Sequence, residues 1–165
     1  MRVGLGFDAH CFASDRALVL GGVNIPSPEG LAGHSDADVL SHAVADALIG
    51  AANLGDLGSM FPGDERWKEA SGLDILSVAG SAVATAGYRV ANVDATVVAE
   101  RPRLAPYKDD MAANIAGALS LERGAVSVKA TSTDGLGFTG RGDGIAAMAV
   151  ALLESDAPGA TGALE

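Results

Sequence analysis

The residues of this chain most able to do chemistry are its three histidines and the acids beside them. His10 closes the triplet Asp8-Ala9-His10, while His34 and His42 share the stretch from Gly33 to Asp46. Imidazole is the commonest metal ligand in proteins, and it combines with carboxylate at zinc sites. Asp8 and His10 are two apart on or just beyond a strand, so their side chains point the same way. With His42 added from a helix, the set is one carboxylate and two imidazoles. Three such ligands leave a fourth tetrahedral position open, the arrangement of a catalytic rather than a structural zinc site. Spacing alone does not distinguish this from an Asp-x-His strand end beside a hydrogen-bonded helix histidine. Asp38, His42 and Asp46 recur every four residues and predict one polar stripe along a helix. Asp46 then reads either as a second partner for His42 or as an exposed helix acid. Ser35 or Asp36 is the expected N-cap, which puts His34 and Ser35 where free N–H groups and the helix dipole favour phosphate.

A second constellation runs from Lys129 to Gly144. Thr131, Ser132, Thr133 and Asp134 follow a strand, and a glycine-rich loop with Phe138 and Arg141 comes next. Hydroxyls and backbone amides there can approach phosphate, and Asp134 can hold Mg²⁺ against it; a plain turn is the simpler alternative. Gly135 to Gly140 spells G-x-G-x-x-G, but too little chain follows for a dinucleotide-binding βαβ unit. It lacks the Lys-Ser/Thr of a P-loop as well. A third segment, Ala99 to Pro106, joins strand to helix and carries Arg101 and Arg103, either facing a phosphate or simply solvated. Phe7 and Phe138 read most simply as core residues.

These groups need elements to position them, and 165 residues suit one domain with its own core. Val3, Leu5 and Phe7 alternate as in a half-buried strand from Arg2 to Asp8. Residues 17–25 form a second strand candidate broken at Gly21-Gly22, with a loop over 26–33. The run from Val39 to Ile49 predicts the central helix. A turn-rich and mobile segment follows over 54–64. Helices are predicted over 73–86 and 106–121, strands over 90–99 and 125–130, and residues 145–153 fit either type. Strands alternating with helices indicate an α/β layer protein, residues 1–154, followed by a disordered tail over 155–165.

Net charge is −10, with 11 Lys and Arg against 21 Asp and Glu, which argues against binding nucleic acid or an anionic membrane. So few cations are a difficulty for phosphate binding that bound divalent metal would solve. A single cysteine excludes an internal disulfide and fits a reducing compartment. No signal peptide or spanning segment is visible, so a cytoplasmic protein is expected.

Several motifs in order resemble the 2-C-methyl-D-erythritol 2,4-cyclodiphosphate synthase family. They are Gly4 to His10, Gly21 to Pro26, His34 to Asp38, Asp46 to Leu48, Leu54 to Gly58, Lys129 to Thr131 and Gly137 to Gly142. The resemblance implies α+β layers, a mixed four-stranded sheet backed by helices, in a homotrimer with a central cavity and active sites between subunits. It implies a lyase of the non-mevalonate isoprenoid pathway. The substrate would be 4-diphosphocytidyl-2-C-methyl-D-erythritol 2-phosphate, closed to the cyclic diphosphate with release of CMP. Asp8, His10 and His42 would bind Zn²⁺, and Asp134 would carry Mg²⁺ or Mn²⁺. His34 and Ser35 would hold the attacking phosphate, beside Ala9. Asp56, Leu57, Gly58 and Phe61 would contact the methylerythritol part, with Asp64 the nearest acid because Gly63 stands where Asp is frequent. Ala99, Arg103, Leu104, Ala130, Thr131, Ser132 and Thr133 would cradle the cytidine and its phosphates. Ser132 and His34 are the expected catalytic pair. Phe7, Phe138 and Arg141 would face the trimer cavity, where an isoprenoid diphosphate could bind. Two other readings use the same residues: a metal-dependent phosphoesterase, and a non-catalytic trimer that senses isoprenoid diphosphates.

Overall fold

Strand β1 (Arg2–Ala13) continues well past Asp8, so Asp8 and His10 both lie within it. The computed structural model describes residues 1–156. After β1 come a hairpin, β2 (Leu18–Leu20) and β3 (Val23–Ile25), and the two-residue strand β4 (Gly30–Leu31). The hairpin turns at Gly21-Gly22, whose φ values of 55° and 69° are the left-handed pair that a tight two-residue turn requires. Helix α1 (Val39–Ala52), the short α2 (Leu57–Met60) and α3 (Gly72–Thr85) follow, then β5 (Tyr88–Val98). Helix α4 (Lys108–Ala118) carries the chain to β6 (Val126–Thr131), which pairs parallel to β5, as a helical crossover allows. The one-turn α5 (Gly137–Gly140) precedes β7 (Gly144–Ser155).

The sheet has five strands in the order β4-β1-β7-β5-β6. Four long strands match the expected mixed sheet, and β4 adds an edge from a segment that read as loop. Residues 145–153, undecided by pattern, are a central strand flanked by β1 and β5. β7 ends at Ser155, one residue into the expected disordered tail; residues 157–165 of that tail lie outside the described residues. The turn-rich segment over 54–64 contains α2, and α4 stops three residues before the predicted Leu121. No helix among the described residues is long and apolar enough to cross a membrane.

The alternation in β1 is inverted relative to expectation. Val3, Leu5 and Phe7 are 67%, 69% and 56% exposed, whereas Gly4 and Gly6 face the core. The cause is α1. A Cβ built on Gly6 would lie 2.1 Å from the Ala43 carbonyl oxygen, and one on Gly4 would lie 2.0 Å from that of Ala47. The helix therefore rests on bare backbone, and the large side chains take the opposite face. Sandwiched between the sheet and α3, α1 buries every residue except Asp46 and Gly50. No polar stripe survives: a helix packed on all sides is apolar all round, and its few polar side chains need specific partners.

The N-cap of α1 is Asp38, not Ser35 or Asp36. Its buried carboxylate accepts from the Gly21, Gly22 and Ser41 amides and from the Ser41 hydroxyl. Burial pushes its pKa up, against the pull of those donated hydrogen bonds. The first turn of the helix thus meets the protein's own carboxylate, and His34 and Ser35 lie ahead of the cap rather than on it. Asp36 instead accepts from the amides of Asp38 and Gly72, tying the start of α1 to the start of α3.

Candidate functional site

Because β1 lies so close to α1, the core-facing Asp8 and His10 meet His42 on the first turn of the helix. The Asp8 Oδ2 atom is 3.0 Å from His10 Nε2 and 3.0 Å from His42 Nδ1, and the two nitrogens are 3.4 Å apart. Ligands at zinc–nitrogen and zinc–oxygen distances in a tetrahedron are separated by about 3.3 Å, so the three atoms fit one face of such a site. Among the described residues this is the one cluster of three or more His, Cys, Asp or Glu able to hold an ion.

Each imidazole is fixed from behind. His10 Nδ1 donates to the Ala32 carbonyl at 2.6 Å, which leaves the Nε2 lone pair for the centre. His42 Nε2 lies 3.2 Å from the Ser35 hydroxyl oxygen, which orients Nδ1 toward Asp8. Ser35 Oγ also accepts from the Ala37 amide, so its own hydrogen is free to donate into the adjoining cavity. Asp46 is not a partner of His42: its carboxylate accepts from the Leu57 amide. Burial pushes the Asp8 carboxyl up, but hydrogen bonds and charge from His10 and His42 outweigh it and hold it well below the carboxylate range. The hydrogen bond to Asp8 in turn raises His10 above the usual imidazole value. If the triad holds a divalent cation, Ser35→Ala is expected to weaken its binding about tenfold, the usual effect of losing a partner behind a ligand, measured by chelator competition.

These groups open on a cavity of about 180 Å³ that also takes in His34, Leu57, Gly58 and Phe61. His34 Nε2 donates to the Asp64 carbonyl at 2.7 Å, so at that nitrogen an anion competes with the backbone. Two predicted acids are not among its lining residues. Asp56 caps α2 through the Ser59 amide, and the Asp64 carboxylate is held by Arg66. The same loop adds Trp67, which sequence reasoning missed. It stacks edge-on against Phe61 with ring centroids 4.7 Å apart, and its buried indole N–H has no partner. Being the chain's single tryptophan was the available signal.

A second cavity, about 280 Å³, is lined by Ala99, Arg103, Leu104, Ala130, Thr131 and Ser132, the segments read as a cradle, together with Glu100 and Lys108. It shares no lining residue with the first. Lys108, in the first turn of α4, was not anticipated. Arg103 and Lys108 are the two cationic side chains among the described residues without a hydrogen bond or ion pair; the other nine are engaged. The amides of Thr133 and Gly135, expected to approach phosphate, donate to the Glu100 carboxylate. Asp134 has a left-handed backbone (φ 52°), is exposed, and accepts from the Ser132 hydroxyl at 2.9 Å. Phe7 and Phe138 are not core residues but lie exposed, and Arg141 pairs with Asp143. Ala9 and Thr133 are partly or fully exposed.

The sequence of a Moorella thermoacetica protein named 2-C-methyl-D-erythritol 2,4-cyclodiphosphate synthase is 60% identical over 154 residues, 93% of this chain and 94% of that one. Among solved structures, a bifunctional IspDF from Campylobacter jejuni superposes with a TM-score of 0.90 at 41% identity. That match covers 93% of this chain, which spans 42% of the bifunctional protein's length. An IspF from Plasmodium falciparum in complex with CDP matches with a TM-score of 0.82 at 29% identity, covering 93% of this chain and 96% of the other. The YgbB family matches residues 1–154, triad and both cavities included, and with these full-length likenesses the chain belongs to that family.

Proposed function

We propose that the protein converts 4-diphosphocytidyl-2-C-methyl-D-erythritol 2-phosphate into 2-C-methyl-D-erythritol 2,4-cyclodiphosphate and CMP, acting as a phosphorus–oxygen lyase. The observation that carries this reading is the Asp8–His10–His42 triad facing a cavity in a chain whose relatives bear that enzyme's name. Asp8, His10 and His42 would hold Zn²⁺ and Asp134 would hold Mg²⁺ or Mn²⁺, and the bound cations would supply charge neutralisation at the phosphate oxygens.

The rest of the work falls to the chain. The reaction closes one molecule on itself, so no protein nucleophile is needed, and rate comes from alignment and charge stabilisation. Ser35, its hydroxyl hydrogen unclaimed, and His34 hold the 2-phosphate, with Ala9 alongside. Leu57, Gly58 and Phe61 pack the methylerythritol part. Asp56, which caps α2 through Oδ1 and keeps further acceptor positions, would contact its hydroxyls, while Asp64 is the acid nearest Gly63 and is shared with Arg66. At the second cavity, Arg103 and Lys108 face the diphosphate, and Ala99, Leu104, Ala130 and Thr131 enclose the cytidine, with Thr133 just beyond them in the chain. The Ser132 hydroxyl, which donates to Asp134, would turn to the transferred phosphoryl group. The absence of acids paired to Arg103 and Lys108 supports this assignment in a chain of net charge −10.

Each cavity is smaller than the roughly 300 Å³ at which ligand sites usually begin, which supports a site completed between subunits. The sheet face away from α1 supports a homotrimer. Leu5 and Phe7 pair in register with Val150 and Met148, all four exposed, and monomeric proteins seldom leave such a patch uncovered. In that assembly Phe7, Phe138 and Arg141 line a central cavity able to take an isoprenoid diphosphate. The test is product analysis with that substrate and both metals present. CMP and cyclic diphosphate in equal amounts are expected; inorganic phosphate would make the protein a phosphoesterase instead.

A further inference from the structure

The segment from Ala32 to Ser35 supplies the metal centre with more than its own side chains. The Ala32 carbonyl sets the tautomer of His10, the Ser35 hydroxyl orients His42, and His34 projects between them into the cavity. Short exposed loops of this kind move unless tied down. This one is tied on one side by backbone bonds, Glu69 N to His34 O and Asp36 N to Ala70 O. On the other side the Ala32 amide donates to the Cys11 carbonyl of β1, and beyond Ala32 one side chain holds it. Arg16, from the turn between β1 and β2, donates through Nη1 to the Gly33 carbonyl at 2.8 Å and through Nη2 to the Ser35 carbonyl. No acid pairs with Arg16 among the described residues; its recorded hydrogen bonds both go to this loop.

We propose that Arg16 is a positioning residue of the metal centre: its guanidinium bridges the carbonyls of Gly33 and Ser35 and so fixes both His10 and His42 through the loop between them. The inference rests on the triad being a metal site, as proposed above. A planar fork reaches two acceptors at once; a lysine ammonium on a flexible stem can meet one but does not impose the spacing of both. The two bonded carbonyls flank His34, so the same clamp sets where that ring enters the cavity.

Charge and position make opposite predictions here. The positive charge of Arg16 reaches His10 and opposes further positive charge there. By Coulomb's law alone, deleting it should tighten the binding of a divalent cation. Loss of the clamp should loosen it. The experiment measures Zn²⁺ affinity by chelator competition on purified wild type, Arg16→Ala and Arg16→Lys, with thermal melting and solution mass alongside. Both variants are expected to lose about tenfold or more in zinc affinity, the scale for groups that orient metal ligands, with oligomer mass unchanged. Lys is expected to recover only part of the loss. Tighter zinc in Arg16→Ala with no change in Arg16→Lys would make Arg16 an electrostatic residue and overturn the proposal. Affinity within twofold of wild type in both, even with a lowered melting point, would also overturn it by making the clamp purely structural. A wild-type protein that binds no zinc would defeat the reading of the triad, and with it this one.

Discussion

His42→Ala is expected to abolish zinc binding and to lower turnover about a thousandfold, the upper scale for removing one group that stabilises transition-state charge. Removing the ring leaves Asp8 and His10 as a two-ligand half site, since all three ligand atoms lie within 3.4 Å of one another. Ser35 then loses its contact with the His42 ring as well. The fold should persist: the packing of the helix rests on Ala43, Val44, Ala47, Leu48 and Ile49, none of which changes. Zinc per chain, CMP release and mass in solution check this directly. Stoichiometric zinc with turnover within tenfold of wild type would mean that the triad is not the metal centre. Loss of the oligomer along with zinc would make the ion structural.

Gly6→Ala should do the larger damage to stability. The added Cβ would meet the Ala43 carbonyl at 2.1 Å and the Ala47 amide at 2.5 Å, backbone atoms that cannot swing aside. The helix must lift from the strand, at about 3 kcal/mol, the upper end for overpacking. For a chain of this size that corresponds to a melting temperature lower by roughly 10 °C. The same displacement separates Asp8 and His10 on β1 from His42, so zinc affinity should fall although no ligand has changed. Gly124→Ala is the control, since nothing lies within 4 Å of its Cβ position, and it should melt within about 0.5 kcal/mol of wild type. A Gly6→Ala protein that melts with the control and retains zinc would show that close packing of α1 on β1 does not set the site.

The two variants probe different kinds of information. The candidates for the triad were readable from the linear chain, because Asp-x-His on one strand face and a histidine on an apolar helix are local patterns, while their meeting in one cluster was not. The long elements were readable for the same reason: α1, α3 and β5 each follow from a run of apolar residues bounded by caps or glycines. Partners distant in sequence were not. Asp38 looked like one step of a polar stripe until Gly21 and Gly22, folded back by their hairpin, supplied two of its donors. Asp46 looked like a partner for His42 until α2 brought the Leu57 amide to it.

Residue types and their periods therefore determined which side chains exist to bind a metal and which segments are helix or strand, since both depend on near neighbours along the chain. The tertiary structure alone decided which face of β1 is inside. An alternation of two specifies two faces but not which one a helix will cover, and here backbone contact at Gly4 and Gly6 turned Val3, Leu5 and Phe7 outward. It also decided which polar group serves which, because hydrogen bonds are short and directional while sequence separation says nothing of distance in space. Arg16 and Ser35 reach the triad only because the fold carries a turn, a loop and a helix, far apart in the chain, to within hydrogen-bond reach of one another.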